Sequence, residues 1–403
     1  MIRDSVSSPL YTLTPIKRVY ARLKGLPFGL GSVVNQFNRL PMLQTATLRR
    51  LLSLNTAHYF GDSCLLELAA ISGASKAITK RMAAWWGIKL SPKKSQRMAP
   101  AGDFLGHRYD MTSFMVDEAV TFGIKPSTKE KALGMIEETL SCDKLSAGEA
   151  SRLRGFLQWI DTGIGGRSCR GALTALTARQ YYERVSADKL TPKLRAALEY
   201  LQAAVRYMPD RLIQITAKSK PPALIYTDAA TLSHGLRVGI LVMLPSGRNL
   251  CSSIDVPRDV QDRWDMRTTY IGQAELVAGP LTVALFGEVL AGMQAIWFVD
   301  NTSACSAMVK AASPTEDNSP MALIAALSAA TIGLHIWVEY INTNQNPSGR
   351  LSRGGWSDRI VRQKIASKEG EPVHNTRGIN WDDILNLDWE ASWAKVAALG
   401  SAE

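Results

Sequence analysis

The chain has 403 residues, 46% of them apolar and 21% charged, with a formal net charge of +11 and a sequence pI near 9.4. That length predicts two or three domains, and the composition excludes collagen, coiled coil and disorder as descriptions of the whole. Five cysteines, far apart and without a C-x-x-C pair, suggest neither a disulfide framework nor a zinc site and point to a reducing compartment. The segment Met1 to Ser8 lacks the basic start and apolar run of a signal peptide, so an intracellular location, cytoplasmic or nuclear, is expected.

The first predicted region, 1–120, mixes a helical period from Ser32 to Leu54, a turn between short strands over His58 to Glu67, a helix from Ser72 to Gly87 and a strand at Phe104 to Tyr109. The second, 121–217, reads as a helical connector, with apolar residues three and four apart in Lys129 to Leu140, Ala147 to Ile160 and Pro192 to Tyr207. Ser146 and Glu149 have the spacing of a capping box. Lys218 to Pro222 is the best linker candidate. In the third region, 218–370, β-type runs at Ala223 to Asp228, Leu236 to Leu244 and Asn249 to Val256 precede a helix from about Gln273 to Leu290. A strand (Ala295 to Asp300), two helices (Ser303 to Ala312, Pro320 to Ile332), a strand (Leu334 to Ile341) and a helix (Trp356 to Ala366) follow. This order describes a mixed sheet with helices on its faces, and the whole chain is α+β. Met321 to Val338 carries no charge and just reaches spanning length, but Gly333 and the β-rich run after it favour a buried helix entering a strand, with no membrane. In the tail, 371–403, Trp381, Leu385, Trp389 and Trp393 fall at steps of four on one helix, opposite Asp382, Asp383, Asp388 and Glu390. Such a face docks a protein partner or folds back on its own domain.

Residues 1 to 110 hold 16 Lys+Arg and 5 Asp+Glu, so the entire charge excess lies in the first quarter. Arg49, Arg50, Lys80, Arg81, Lys93 and Lys94 are its densest points, as expected of a surface that meets phosphates and equally of a solvated basic face. Asp228 and Asp300 end strands and Glu275 lies near a helix start. Carboxylates so placed can converge on one sheet edge, where they would hold Mg²⁺ or Mn²⁺; the alternative is three unrelated capping acids. His58 and His107 lack ligand spacing and read as core or surface residues. Trp85, Trp86, Tyr181 and Tyr182 could stack on bases, although helix-face packing is the more common fate of such pairs.

Tyr226-Thr-Asp-Ala-Ala230, Gln273-Ala-Glu-Leu276 and Phe298-Val-Asp-Asn-Thr-Ser-Ala304 resemble the first three acidic motifs of the ribonuclease H domain of retroelement polyproteins. The family's fourth acid stands in a stretch of the form Asn-x-Ala-Asp-x-x-Ser-Arg; here Asn346-Pro-Ser-Gly-Arg-Leu-Ser-Arg353 places Gly349 at that position, with Asp358 nine residues on. Leu26-Pro-Phe-Gly29, His58-Tyr-Phe-Gly-Asp-Ser63, Leu90-Ser-Pro-Lys-Lys-Ser95 and Phe104-Leu-Gly-His107 resemble reverse transcriptase palm and primer-side motifs in the family's order. The resemblance, of gypsy-like or tyrosine-recombinase type, covers most of residues 20 to 360. It implies a truncated palm remnant, a helical connector and a ribonuclease H-like domain acting on an RNA–DNA hybrid or duplex. Asp228, Glu275 and Asp300 are the implied catalytic, metal-holding acids, Asp62 is the remaining palm acid, and Phe28, Gln36, Arg49, Arg50, Lys93 and Lys94 are candidate nucleic-acid contacts. Polymerase activity is expected to be lost, because Gly61 replaces the first Asp of the palm turn and no motif acid precedes Leu26. Two rival expectations are a nucleic-acid-binding protein without catalysis and a functionless relic.

Overall fold

The computed structural model describes residues 31–165, 168–183, 188–215, 221–264, 270–313, 318–361, 363 and 379–400. The motif around Phe28 lies outside them, as do residues 218–220 of the linker candidate Lys218 to Pro222. The chain divides into two compact units, one ending at Leu105 and one starting at Gly106.

In the first unit, α1 (Gly31–Leu52) leads into a hairpin of β1 (Asn55–Tyr59) and β2 (Asp62–Leu66), followed by α2 (Ser72–Trp85) and β3 (Ala101–Phe104). The hairpin turns on Phe60 and Gly61, with Phe60 in the left-handed region at φ +49°. Leu48, Leu54 and Met82 are buried together, with Leu65 and Trp86 packed against them. His58 is tied by its Nδ1 to the Thr45 hydroxyl at 2.8 Å, the structural role expected of it.

The second unit opens with β4 (His107–Asp110), a helical turn α3 (Phe114–Asp117) and β5 (Ala119–Ile124); β5 pairs antiparallel with β4 on one side and with β6 (Arg211–Gln214) on the other. Between β5 and β6 run the helices α4 (Pro126–Cys142), α5 (Ala147–Ile160), α6 (Arg170–Tyr181) and α7 (Pro192–Tyr207). The Ser146 backbone N–H donates to Glu149 at 2.9 Å and the Glu149 N–H donates to the Ser146 hydroxyl at 3.3 Å, which completes the capping box. Leu153, Leu157, Leu176, Leu194 and Leu198 form the helical core. His107 is buried there, stacked on Phe122.

A five-stranded mixed sheet follows. β7 (Ala223–Leu232), β8 (Gly235–Met243) and β9 (Asn249–Val256) are an antiparallel meander, made by apolar alternation interrupted at Ser233-His234 and Pro245 to Gly247. After the short α8 (Arg258–Gln261) comes α9 (Ile271–Leu290), then β10 (Gln294–Val299), α10 (Thr302–Lys310), α11 (Asn318–Ala330) and β11 (His335–Tyr340). The spatial order is β11-β10-β7-β8-β9, with β10 parallel to both its neighbours. α9 is long and apolar enough to cross a membrane, yet 72% of its apolar window is buried, as in a core helix. The uncharged run after Met321 is a buried helix entering a strand, as its sequence predicts.

The chain closes with α12 (Gly349–Arg353), α13 (Trp381–Leu385) and α14 (Trp389–Gly400). The single tail helix expected from the steps of four is two helices. Asn386 leaves helical geometry at φ −119°, and the Asp388 carboxylate accepts from the Ala391 N–H at 2.9 Å, restarting the helix. Both pieces fold back: Ile384 joins the core under the mixed sheet, whereas Trp393 is buried with α4–α7, where Trp389 and Trp393 pack on Tyr200.

Candidate metal centre

The trio is built by strand register. Val299 of β10 pairs with Thr227 of β7 in parallel, so the next residues of both strands, Asp300 and Asp228, emerge side by side. The Trp297 indole N–H locks the two strands by donating to Thr227 Oγ1 at 3.0 Å, and Trp297 is fully buried. α9 lies across β7 and β8 and presents Glu275, whose Oε1 accepts from the Ala229 N–H at 3.0 Å. Ligand atoms of Asp228, Glu275 and Asp300 lie within 4.8 Å of one another, and among the described residues this is the only cluster of three or more such groups.

Burial dominates the electrostatics. It lifts Asp228 to about 6; Asp300 adds repulsion, against which the Ser352 hydroxyl and the Arg353 charge work. Glu275 is raised well above the usual carboxylate range by burial, then by the charges of Asp228 and Asp300. Its Oε2 is buried and has no hydrogen-bond partner. An orphaned carboxylate oxygen among two further carboxylates is a hard, all-oxygen donor set, so these residues fit Mg²⁺ or Mn²⁺. Replacing Asp300 by Asn removes one repelling charge. We expect it to raise the melting temperature without metal and to shrink the metal-induced rise; a melting curve indifferent to both would make the trio ordinary structural acids.

The segment after β11 supplies groups that sequence reasoning passed over. The Asn346 amide donates to Thr227 O at 2.9 Å, and its carbonyl oxygen accepts from the Ser348 hydroxyl at 2.6 Å. The buried Ser352 hydroxyl donates to Asp228 Oδ2. Their signal lies in the Asn346 to Arg353 stretch, in the polar residues on either side of Gly349. Asp358 is otherwise engaged: it accepts from the Ile360 and Val361 N–H groups and pairs with Arg350 at 3.4 Å. It lies at the end of a short 3₁₀ turn, Gly355–Ser357, rather than within the expected helix from Trp356.

Gly239 makes this approach feasible. It pairs with Asp228 across β7 and β8, and a Cβ there would lie 2.5 Å from Ser352 N and 2.6 Å from Ser348 O. Gly239→Ala should therefore push α12 off the sheet and lower stability by about 1–3 kcal/mol, the usual range for overpacking, as read by chemical denaturation.

Asp62, Gln36, Arg49, Arg50, Lys93 and Lys94 belong to the first unit. Asp62 is exposed at the hairpin and is not part of the acidic cluster. Gln36, Arg50, Lys93 and Lys94 are exposed, and Arg49 donates from Nε to Thr56 O at 2.5 Å. Helix packing does not cover three of the paired aromatics: Trp85 is 75% exposed, Tyr181 63% and Tyr182 79%, while Trp86 packs inward.

No protein-family model matches the sequence, and no curated protein matches it. Among solved structures, the chain is similar to one described as the foamy viral protease-reverse transcriptase in complex with dsDNA, with a TM-score of 0.34 and 14% identity over 80% of this chain. This chain spans 60% of the length of that protein, and at so low a likeness the functional reading rests on the acidic centre itself.

Proposed function

We propose that this is a retroelement-derived protein of the reverse transcriptase and ribonuclease H kind, whose mixed-sheet region cleaves the RNA strand of RNA–DNA hybrids with Mg²⁺ or Mn²⁺. The observation that carries the reading is the meeting of Asp228, Glu275 and Asp300 across two parallel strands and a helix, with one Glu275 oxygen unpartnered. The order of three antiparallel strands, helix, parallel strand, helices and parallel strand supports a ribonuclease H-like domain after a helical connector and a palm remnant.

Asp228, Glu275 and Asp300 would hold the cation. When bound, it supplies water activation and stabilisation of the leaving oxygen of a phosphodiester. The protein's own part is positional. Ser352 fixes one oxygen of Asp228, Ala229 N–H fixes one of Glu275, and one ligand oxygen from each of the three acids lies within 4.8 Å of the others. Cleavage of a labelled hybrid that needs Mg²⁺ or Mn²⁺ and falls by about a thousandfold in Asp228→Asn is the expected result, in line with losing an electrostatic group that acts on the transition state. No cleavage by the wild type with either ion would remove the nuclease reading. Gly349 favours the second reading, nucleic-acid binding without turnover, which that outcome would leave standing.

The exposed basic residues of the first unit would hold the nucleic acid. Each phosphate contact adds about 0.9 to the slope of log affinity against log salt on duplex DNA. Reversing Arg50, Lys93 and Lys94 to Glu in the full chain should weaken binding and flatten that slope. An unchanged slope would make them a solvated face. Primer extension is expected to be absent, since Asp62 is the only acid of its hairpin turn. Extension that Asp62→Ala abolishes would overturn this.

A further inference from the structure

We propose that the acidic centre takes a single divalent cation, because the turn that meets it carries the positive Arg353 and no fourth carboxylate; this rests on the metal-binding reading above. α12 places residues 349 and 353 one turn apart, on the same face. A Cβ at Gly349 would lie 3.6–3.8 Å from the Arg353 guanidinium. The guanidinium therefore occupies the space into which any longer side chain at 349 would reach. The same turn is tied to the centre, because Ser352 donates to Asp228 and its hydroxyl lies 3.1 Å from Gly349 O. Three carboxylates and one guanidinium leave two negative charges, and one divalent cation neutralises them. A second cation would meet an Arg and no fourth carboxylate, against the mutual repulsion of two dications about 4 Å apart. The Arg353 charge also helps Asp228 remain ionised, consistent with their proximity.

Removing that charge has an unusual expected sign: cation binding strengthens. A dication and a guanidinium repel, and across about 6–12 Å of a water-like medium this is worth roughly three- to tenfold in affinity. The test is a Mn²⁺ titration of the full-length protein at pH 8, followed by electron paramagnetic resonance of free Mn²⁺, with thermal melts to confirm that each variant folds. The wild type should bind one Mn²⁺. Arg353→Gln should bind it more tightly, and Arg353→Lys, which keeps the charge, should match the wild type. The double variant Gly349→Asp with Arg353→Gln should bind two, since a Cβ at 349 meets only the flexible end of Arg353. Two ions on the wild type, weaker or unchanged affinity in Arg353→Gln, or one ion on the folded double variant would each overturn the proposal while leaving the metal reading intact. No binding by the wild type would overturn both.

Discussion

Replacing Asp228 by Asn should raise the melting temperature of the metal-free protein at pH 8 by about 6 °C and abolish most of the rise that Mg²⁺ produces in the wild type. Burial and Asp300 lift the Asp228 carboxyl from 3.8 to about 6 in the fold, so its ionisation is resisted there and not in the unfolded chain. A raised folded value means that the native state holds the proton more tightly. The stabilisation is complete below about pH 4 and is lost as pH rises through about 6. By pH 8 the ionised carboxylate costs about 3 kcal/mol relative to a neutral group, taking 1.36 kcal/mol per unit. Glu275 is shifted in the same direction and adds to the loss. Metal-free wild-type protein should therefore lose stability between pH 4 and 6, a slope that the Asn variant flattens and that saturating Mg²⁺ reverses at higher pH. Thermal melts across that range, with and without metal, read all three effects. A wild-type profile with no fall through pH 6 would show that the carboxyl is not held in the protonated form.

A second large effect is expected at Trp297, which is fully buried on β10, the strand between β7 and β11, and donates to Thr227. Trp297→Ala removes the largest fully buried side chain among the described residues and should destabilise the second unit by about 3–5 kcal/mol, with a fall of roughly 10 °C or more in melting temperature. Trp297→Phe keeps most of the volume and loses the indole N–H, leaving Thr227 Oγ1 without that donor. It should cost about 1–3 kcal/mol, the penalty for a buried polar group left unpaired. Because Thr227 precedes Asp228, the Phe variant should also shrink the metal-induced melting shift. If its shift equals that of the wild type, the indole contributes packing alone.

Much of this was legible in the sequence because it is local. The alternation through 223–256, with turn residues at 233–234 and 245–247, marks three strands, and acids at strand ends can be read directly. That Asp228 and Asp300 are neighbours depends on parallel pairing between segments about 70 residues apart, which periodicity does not record; the motif resemblance carried that step. The contribution of Ser352 was hidden for a different reason. It reaches Asp228 only because Gly239, on another strand, leaves room for the α12 backbone, and a glycine within a β-run gives no sign of what lies against it. The tail misled because Trp381, Leu385, Trp389 and Trp393 keep a helical spacing across a break. Asp388 served in that reading as a polar face and in the fold as a cap.

The sharing of α11 between two cores has a consequence for cooperativity. Met321 and Ala322 face the apolar layer under the mixed sheet, while Leu323 and Leu327 of the same helix are buried with α4–α7, and Trp393 joins them from the chain's far end. One rigid rod thus belongs to both layers, and melting either strips a face from the other. Residues 106–403 should then unfold in one calorimetric transition, with equal van't Hoff and calorimetric enthalpies. For the same reason, excision at 218 and 370 would leave Leu323 and Leu327 facing water, and such a fragment should self-associate unless those two positions are made polar.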